Sequence, residues 1–544
     1  MMMRGPYARP LRLRALCAVL ALLVAATTHA GVGETIYRQG ILLSGEPLQA
    51  EREPGMHIEG ATAACINCHR RSGLGMTEGR RAIPPIAGRY LFHPRAANAD
   101  ELDLPFVEGM KADRDPYDEA TLARAIRTGV GADGQPLSYL MPHFQLDDVQ
   151  MASLISYLRS LSPGPVPGVT TSVLHFATII TPDADPVKRD AMLEVLTKFF
   201  DDKNRYTRAE SPRLHSSRRM MFKVNRHWEL HVWQLAGAPQ TWEAQLRDKL
   251  ATQPVFAVIS GLGGRTWEPV QHFCEAEGLP CLFPNVDLPV DRQSDFDSLY
   301  LSKGVLLEAE LIAHNLRASK AGASIHRVVQ IYRAKDIGKD AAAALRTALH
   351  DEAMTVVEET LGAGASGHEL NALLAKSQPN DILVLWLRKA DIAALGRPPA
   401  RVARVYLSGR MAGLEQAPLP GKWRGLTRMA YPFNLPDRRR VQVDYPLGWF
   451  RMRQIPVVAE QVQADTYLVC AIVSDAINHM VDTFVRDYLV ERIEELLEHR
   501  IITGYYPRLA LAPQQRFASK GGYIVRFRDS NGTSLTPEGD WTVP

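Results

Sequence analysis

Cys65-Ile66-Asn67-Cys68-His69 sets two thiols three positions apart, with a histidine directly after the second. This is the attachment pattern of a covalent haem. The two thiols reach two vinyl groups of one porphyrin, and the histidine that follows is then held under the iron as the proximal ligand. Cys65 and Cys68 are therefore the candidate thioether residues of one haem c, and His69 the candidate iron ligand. Alone, the pentapeptide could also be a redox C-x-x-C pair or a chance match, so its flanks matter. Arg70, Arg71, Arg80, Arg81 and Arg89 follow it closely, with Glu78 the one acid among them. Two uses remain open for these arginines: docking an acidic electron-transfer partner, or pairing the haem propionates.

The elements that must position the motif can be read on both sides of it. Glu34–Arg38 is helix-like and is followed by Gly40 and Gly45. Pro84-Pro85-Ile86-Ala87-Gly88 is turn-rich. Asp118 to Gly129 reads as a helix with an acidic start and a glycine stop. Leu140-Met141-Pro142-His143-Phe144 comes next. Asp147–Leu161 has acids at its start and Leu154, Ile155, Leu158 and Leu161 at helical spacing. This order resembles a class I cytochrome c along residues 31–162. The resemblance implies an all-α domain around one haem, whose first helix packs across its last through Gly33, Tyr37 and Tyr157. It also implies a distal methionine just before the last helix, which Met141 matches; a Met/His pair raises the reduction potential relative to two histidines. Met76, Met110, His93 and His143 are the competing side chains.

Residues 1–30 have the layout of an export signal: Arg4 to Arg14 form a positive start, Leu16 to Ala26 an apolar run, and Thr28-His29-Ala30 a cleavage site. An uncleaved anchor is the other reading. Without the four arginines of this segment the chain carries 59 basic and 60 acidic residues. No basic excess remains for a nucleic-acid partner. Apolar residues at 46% and charged residues at 23% are ordinary for a globular protein. No later stretch is apolar for long enough to span a bilayer, so the expected location is the periplasm, with no membrane span after signal cleavage. In that oxidising compartment Cys274 and Cys281 could form a small-loop disulfide or remain two buried thiols. Cys17 leaves with the signal, and Cys470 lies in an apolar run as a buried thiol.

Pro/Gly-rich residues 163–169 form a linker. Beyond it, strand-like and helix-like runs alternate: strands at Val173–Ile180, Leu230–Leu235, Val255–Ser260, Val328–Tyr332, Thr355–Glu359, Ile382–Leu387 and Val405–Ser408, with helices between them. That rhythm implies parallel sheets covered by helices. Residues 170–525 are too many for one sheet, so two α/β lobes are expected, with 526–544 as a C-terminal tail. The resemblance here is to type I periplasmic solute-binding proteins of the branched-chain amino-acid-binding kind. It rests on Phe273-Cys274 with Pro280-Cys281-Leu282-Phe283-Pro284, on Val328–Tyr332 leading to Asp336-Ile337-Gly338-Lys339, and on a long helix around Ala459–Arg486. The resemblance implies a hinged cleft with its ligand beyond the strand C-termini. That nominates Ser260, Gly261, Gly263 and Arg265 in the first lobe, and Tyr332, Arg333, Arg388 and Arg410 in the second. Arg333-Ala334-Lys335 stands where the family often has acids, so a small anionic ligand fits as well as an amino-acid-like one.

The fold class expected is thus multidomain: an all-α cytochrome c domain followed by a two-lobed α/β solute-binding-like domain. The expected function is electron transfer by an exported monohaem cytochrome, not an enzyme. Its second domain would dock a redox partner, such as a periplasmic dehydrogenase or another cytochrome, or recognise a ligand. A redox-linked solute receptor is the alternative, and a haem enzyme such as a peroxidase stands third.

Overall fold

Two aspartates fix the starts of the helices nearest the haem motif. In the computed structural model, Asp118 accepts from the Thr121 backbone and caps Glu119–Thr128, which ends at Gly129 with φ 68°. Asp147 accepts from Gln150 in the same way and caps Asp148–Ser160. Each side chain satisfies an amide that the first helical turn leaves unpaired. The structure describes residues 31–544 apart from 54, 79–80, 93–114, 162–163, 210–225, 293–294, 320–326, 353, 481–482, 501–502 and 530–531. The expected signal segment, His93 and Met110 lie outside the described residues.

The chain divides into two units. Described residues of the first come from 31–166 and from Asn478–Glu491. A helix at 31–39 crosses Asp148–Ser160, as expected: a Cβ on Gly33 would sit 2.1 Å from the Ser153 carbonyl oxygen, and the Tyr37 and Tyr157 rings lie 5.3 Å apart. The unit is not all-α. Strands β1 (Gln49–Glu53), β2 (Met56–Glu59) and β5 (His143–Gln145) form a small antiparallel sheet, and β3 (Met76–Glu78) pairs with β4 (Arg81–Ile83). These strands are three to five residues long. Such short pieces leave no period-2 pattern long enough to read from sequence.

The second unit comprises Pro167–Ser211, Asn225–Ile477 and Arg492–Pro544. Its first sheet is parallel throughout, in the order β16 (Phe517–Ser519), β10 (Ser298–Ser302), β9 (Cys281–Leu282), β8 (Ala257–Ile259), β6 (Val173–Ile180), β7 (His227–Gln234). The second sheet runs β12 (Thr355–Leu361), β11 (Arg327–Arg333), β13 (Ile382–Trp386), β14 (Arg404–Ser408), β15 (Thr427–Tyr431), β17 (Tyr523–Phe527), β18 (Leu535–Pro537). The last two strands are antiparallel additions to a parallel core. Two α/β lobes result, and the fully buried runs of β10 and β13 are those of a sheet covered on both faces.

Two expectations are corrected. Residues 526–544 are not a tail. Phe527 and Leu535 are buried in the sheet edge, and Trp541 packs edge-on against Tyr523 at 5.2 Å. The long helix expected around Ala459–Arg486 is two helices, Glu460–Met480 and Arg486–His499. Thr483 and Val485 fall between them, and β-branched residues lose rotamer freedom in a helix. Among the described residues no helix is long and apolar enough to cross a membrane.

Candidate functional site

The haem motif opens a four-residue helix, Ile66–His69, that Arg70 stops with φ 63°. The chain then turns sharply back. Gly75 has φ 77°, and a Cβ there would lie 2.0 Å from the Ile83 carbonyl oxygen, so only glycine fits. Ile86 and Ala87 both donate to the Gly73 carbonyl. This loop brings the Pro84 carbonyl oxygen 3.2 Å from His69 Nδ1. That contact fixes the tautomer: Nδ1 carries the proton and donates, leaving the Nε2 lone pair for a metal. Burial pushes the His69 pKa down to about 4, with the Pro84 bond acting in the opposite direction. Burial likewise raises the Cys65 thiol to about 12. The imidazole is neutral, as iron ligation requires.

The surroundings fit a porphyrin. Cys65, Ile66, Ile86, Phe92, Leu137 and Met141 pack against the unit's core yet are only partly covered, leaving apolar surface of the kind a macrocycle buries. Met141 is half-buried and donates no side-chain bond; its amide bonds Ser138 at 2.9 Å. His143 and Gln145 are exposed, whereas Phe144 between them is buried, and the His143 ring lies over Gly129. Met76 is partly buried at the start of β3.

The arginines after the motif do not form one free patch. Arg71 pairs with Asp487 at 3.2 Å, and Arg89 lies over the Tyr90 ring. Arg80 and the side chain of Arg81 lie outside the described residues. Next to Arg71, Ser72 donates through its amide at 2.9 Å and its hydroxyl at 2.6 Å to the Glu491 carboxylate. Burial raises Glu491 to about 8; the charge of Arg70 and the two Ser72 bonds oppose that rise. The haem loop is thus held by a residue 419 positions later in the chain, which no local pattern in the sequence marks.

In the second unit a cleft of about 560 Å³ opens beyond the strand ends, lined by Asp183, Gly263, Arg265, Asp287, Arg333, Asp336, Arg388, Arg410 and Asp465, among others. Gly263, Arg265, Arg333, Arg388 and Arg410 are where the strand-end rule places them. Ser260, Gly261 and Tyr332 are not in the lining. Ser260 is fully buried, its hydroxyl 3.1 Å from Thr466 Oγ1; Gly261 packs on the Trp267 ring; Tyr332 donates to Glu358. Ser260 and Tyr332 thus spend their hydroxyls on neighbouring side chains, and Gly261 has no side chain to offer.

Most of the cleft's arginines already hold an acid. Arg388 grips Asp336 with two bonds of 2.7 and 2.8 Å. Arg333 holds Asp391 and three loop carbonyls. Arg410 pairs with Asp287 at 3.0 Å and lies over the Phe433 ring. Yet Arg410 Nη1 and Asp465 Oδ1, both buried, have no hydrogen-bond partner among the described residues. Burial raises Asp465 to about 7 despite Arg410 nearby. Asp287, Asp336 and Asp465 are the residues that sequence reasoning missed; Asp336 was noted only as part of a lobe's start. Their signal was position just past a strand or within a long helix, which many surface acids share.

Cys274 and Cys281 do not form the expected disulfide: both are buried free thiols, with a hydrogen bond between them. Cys470 is a buried free thiol, as expected.

Residues 59–162 match the family model described as Cytochrome c. No curated protein matches the chain. Among solved structures, the second unit's architecture is similar to a fatty acid ABC transporter substrate-binding protein from Thermomonospora curvata. That match is 13% identical, covers 70% of this chain and 95% of the other, and has a TM-score of 0.49. A leucine-binding protein from Thermotoga maritima is 11% identical over 68% and 99% of the two chains, TM-score 0.48. A branched-chain amino-acid-binding protein from Streptococcus pneumoniae, solved with isoleucine, is 10% identical over 67% and 99%, TM-score 0.48.

Proposed function

We propose that this chain, whose residues 59–162 are a cytochrome c domain with one covalent haem c, is an exported electron carrier. Cys65 and Cys68 hold the haem, His69 is the proximal iron ligand and Met141 the distal one. The observation that carries this reading is the His69 Nδ1 contact with Pro84, which readies Nε2 for the iron. When bound, the haem supplies a one-electron iron couple. The protein's share is positional: the Gly73–Gly75 turn aims His69, and the thioether of Met141 would supply the second iron ligand. The reading of export is supported by the arginine-then-apolar layout of residues 1–30, with the periplasm as the proposed location. The second unit would serve docking to a redox partner, a dehydrogenase or another cytochrome.

The reading is tested on the full, haem-loaded chain by potentiometric titration. One reversible one-electron wave per haem is expected. Irreversible reduction, or rapid turnover of hydrogen peroxide, would overturn it in favour of a haem enzyme.

A specific observation favours a second reading, a redox-linked receptor. Burying a polar group without a partner costs about 1–3 kcal/mol. Arg410 Nη1 and Asp465 Oδ1 bear that cost in one cleft. A small ligand with an acceptor for the first and a donor for the second, amino-acid-like or another small anion-bearing molecule, would relieve both. Calorimetric screening of such compounds distinguishes this reading: saturable binding lost in Arg410→Met supports it, and no binding removes it.

A further inference from the structure

The edge strand β7 carries His227, Glu229 and His231 on one face, since alternate residues of a strand point the same way. In the parallel register Glu229 lies directly opposite His175 of β6. His227 is engaged elsewhere, its ring facing Asn204 at 3.3 Å. The other three converge. His175 Nδ1 and His231 Nε2 are 3.1 Å apart. Glu229 brings one carboxylate oxygen 3.6 Å from His175 Nδ1 and the other 3.8 Å from His231 Nε2. One donor atom from each residue lies within 4.8 Å of the others.

From these distances we infer that His175, Glu229 and His231 form a site for one divalent transition-metal ion of the zinc class, with its fourth position open to solvent. Donors about 2.0–2.2 Å from a tetrahedral ion lie roughly 3.4 Å from one another. The 3.1 Å between the rings and the 3.6 and 3.8 Å from each ring to its nearer Glu229 oxygen bracket that value, and one donor per residue stays within 4.8 Å of the others. The carboxylate stands too far from either ring for a good hydrogen bond, yet close enough to share an ion with both. Two imidazoles and one carboxylate suit zinc or its borderline neighbours, and not calcium or magnesium, which take oxygen ligands. His231 and His175 are mostly buried, whereas Glu229 is 51% exposed, so an ion can enter from solvent past the carboxylate. A bound ion would tie the edge strand to its neighbour. None of these residues belongs to the haem site or lines the cleft.

The full, haem-loaded, untagged chain is stripped with EDTA, dialysed against zinc chloride and its metal content measured, with melting of the second unit followed in parallel. One zinc per chain and a rise in melting temperature of several degrees are expected, since a ligand that binds only the folded state stabilises it. His175→Asn with His231→Asn should lose that zinc. Should the double variant not fold, Glu229→Gln, altered at a half-exposed side chain, should weaken zinc binding at least about tenfold. No zinc retained by the wild type, equal retention by the variants, or equal binding of magnesium would each overturn the inference.

Discussion

The haem pocket and the cleft solve opposite electrostatic problems. Around Cys65 and His69, burial removes charge: the thiol and the imidazole are both neutral, and apolar side chains surround them. In the cleft, charge is kept and matched instead, Arg388 with Asp336 and Arg410 with Asp287. An apolar site with two thiols suits a group held permanently by covalent bonds. A matched polar site with two orphaned atoms suits a small group that comes and goes, because its charges rest on one another when the ligand leaves.

The sharpest way to break that contrast is to remove the covalent anchors. Cys65→Ala with Cys68→Ala should abolish covalent haem altogether, read as loss of haem stain after denaturing electrophoresis; haem retained there would refute the attachment. Next in size is the cleft's ion pair. Arg410→Met leaves the partly buried Asp287 without its partner and should cost about 2 kcal/mol of stability in denaturant unfolding. Adding Asp287→Asn should recover part of it. A loss below roughly 0.5 kcal/mol would mean that the pair is solvated like a surface bridge.

A smaller effect separates the haem loop's tether from the rest of its neutral pocket. Glu491 holds its proton up to about pH 8 when folded, whereas an ordinary glutamate releases it near pH 4.3. Between those values the native state binds more protons than the unfolded chain. Stability is then full at the acid end of this window and falls as pH rises through it. Glu491→Gln keeps an acceptor for Ser72 and removes the titration. Its stability should therefore be flatter than wild type between about pH 4.5 and 8. An unchanged slope would place the pH dependence on other groups, Asp465 and Glu308 among them, both raised to about 7 by burial.

The contrast also explains what could be read in the sequence. Cys65, Cys68 and His69 lie within five contiguous positions, one short helix and its start, so spacing alone reveals their chemistry. The capped helices from Asp118 and Asp147 were legible for the same local reason. The cleft is assembled from ends of strands far apart in sequence. Arg388 and Arg410 were reachable because strand ends point to it, but their partners Asp336 and Asp287 were not assigned there. Ser260, Gly261 and Tyr332 lie at the right strand ends, but the two hydroxyls bond neighbouring side chains and Gly261 packs on Trp267. Glu491 was illegible because its role depends on a contact 419 positions away, and β18 because its three residues are too few to show a strand period.

On the proposed reading the haem is held by His69 and Met141 for electron transfer. The midpoint potential of full-length Met141→Ala, measured beside wild type with carbon monoxide binding to the reduced form, tests it most directly. A thioether ligand raises the potential and occupies the sixth position. The variant should show a lower potential and bind carbon monoxide readily where wild type does not. An unchanged potential together with unchanged carbon monoxide binding would contradict the assignment and leave the iron's distal side to another residue.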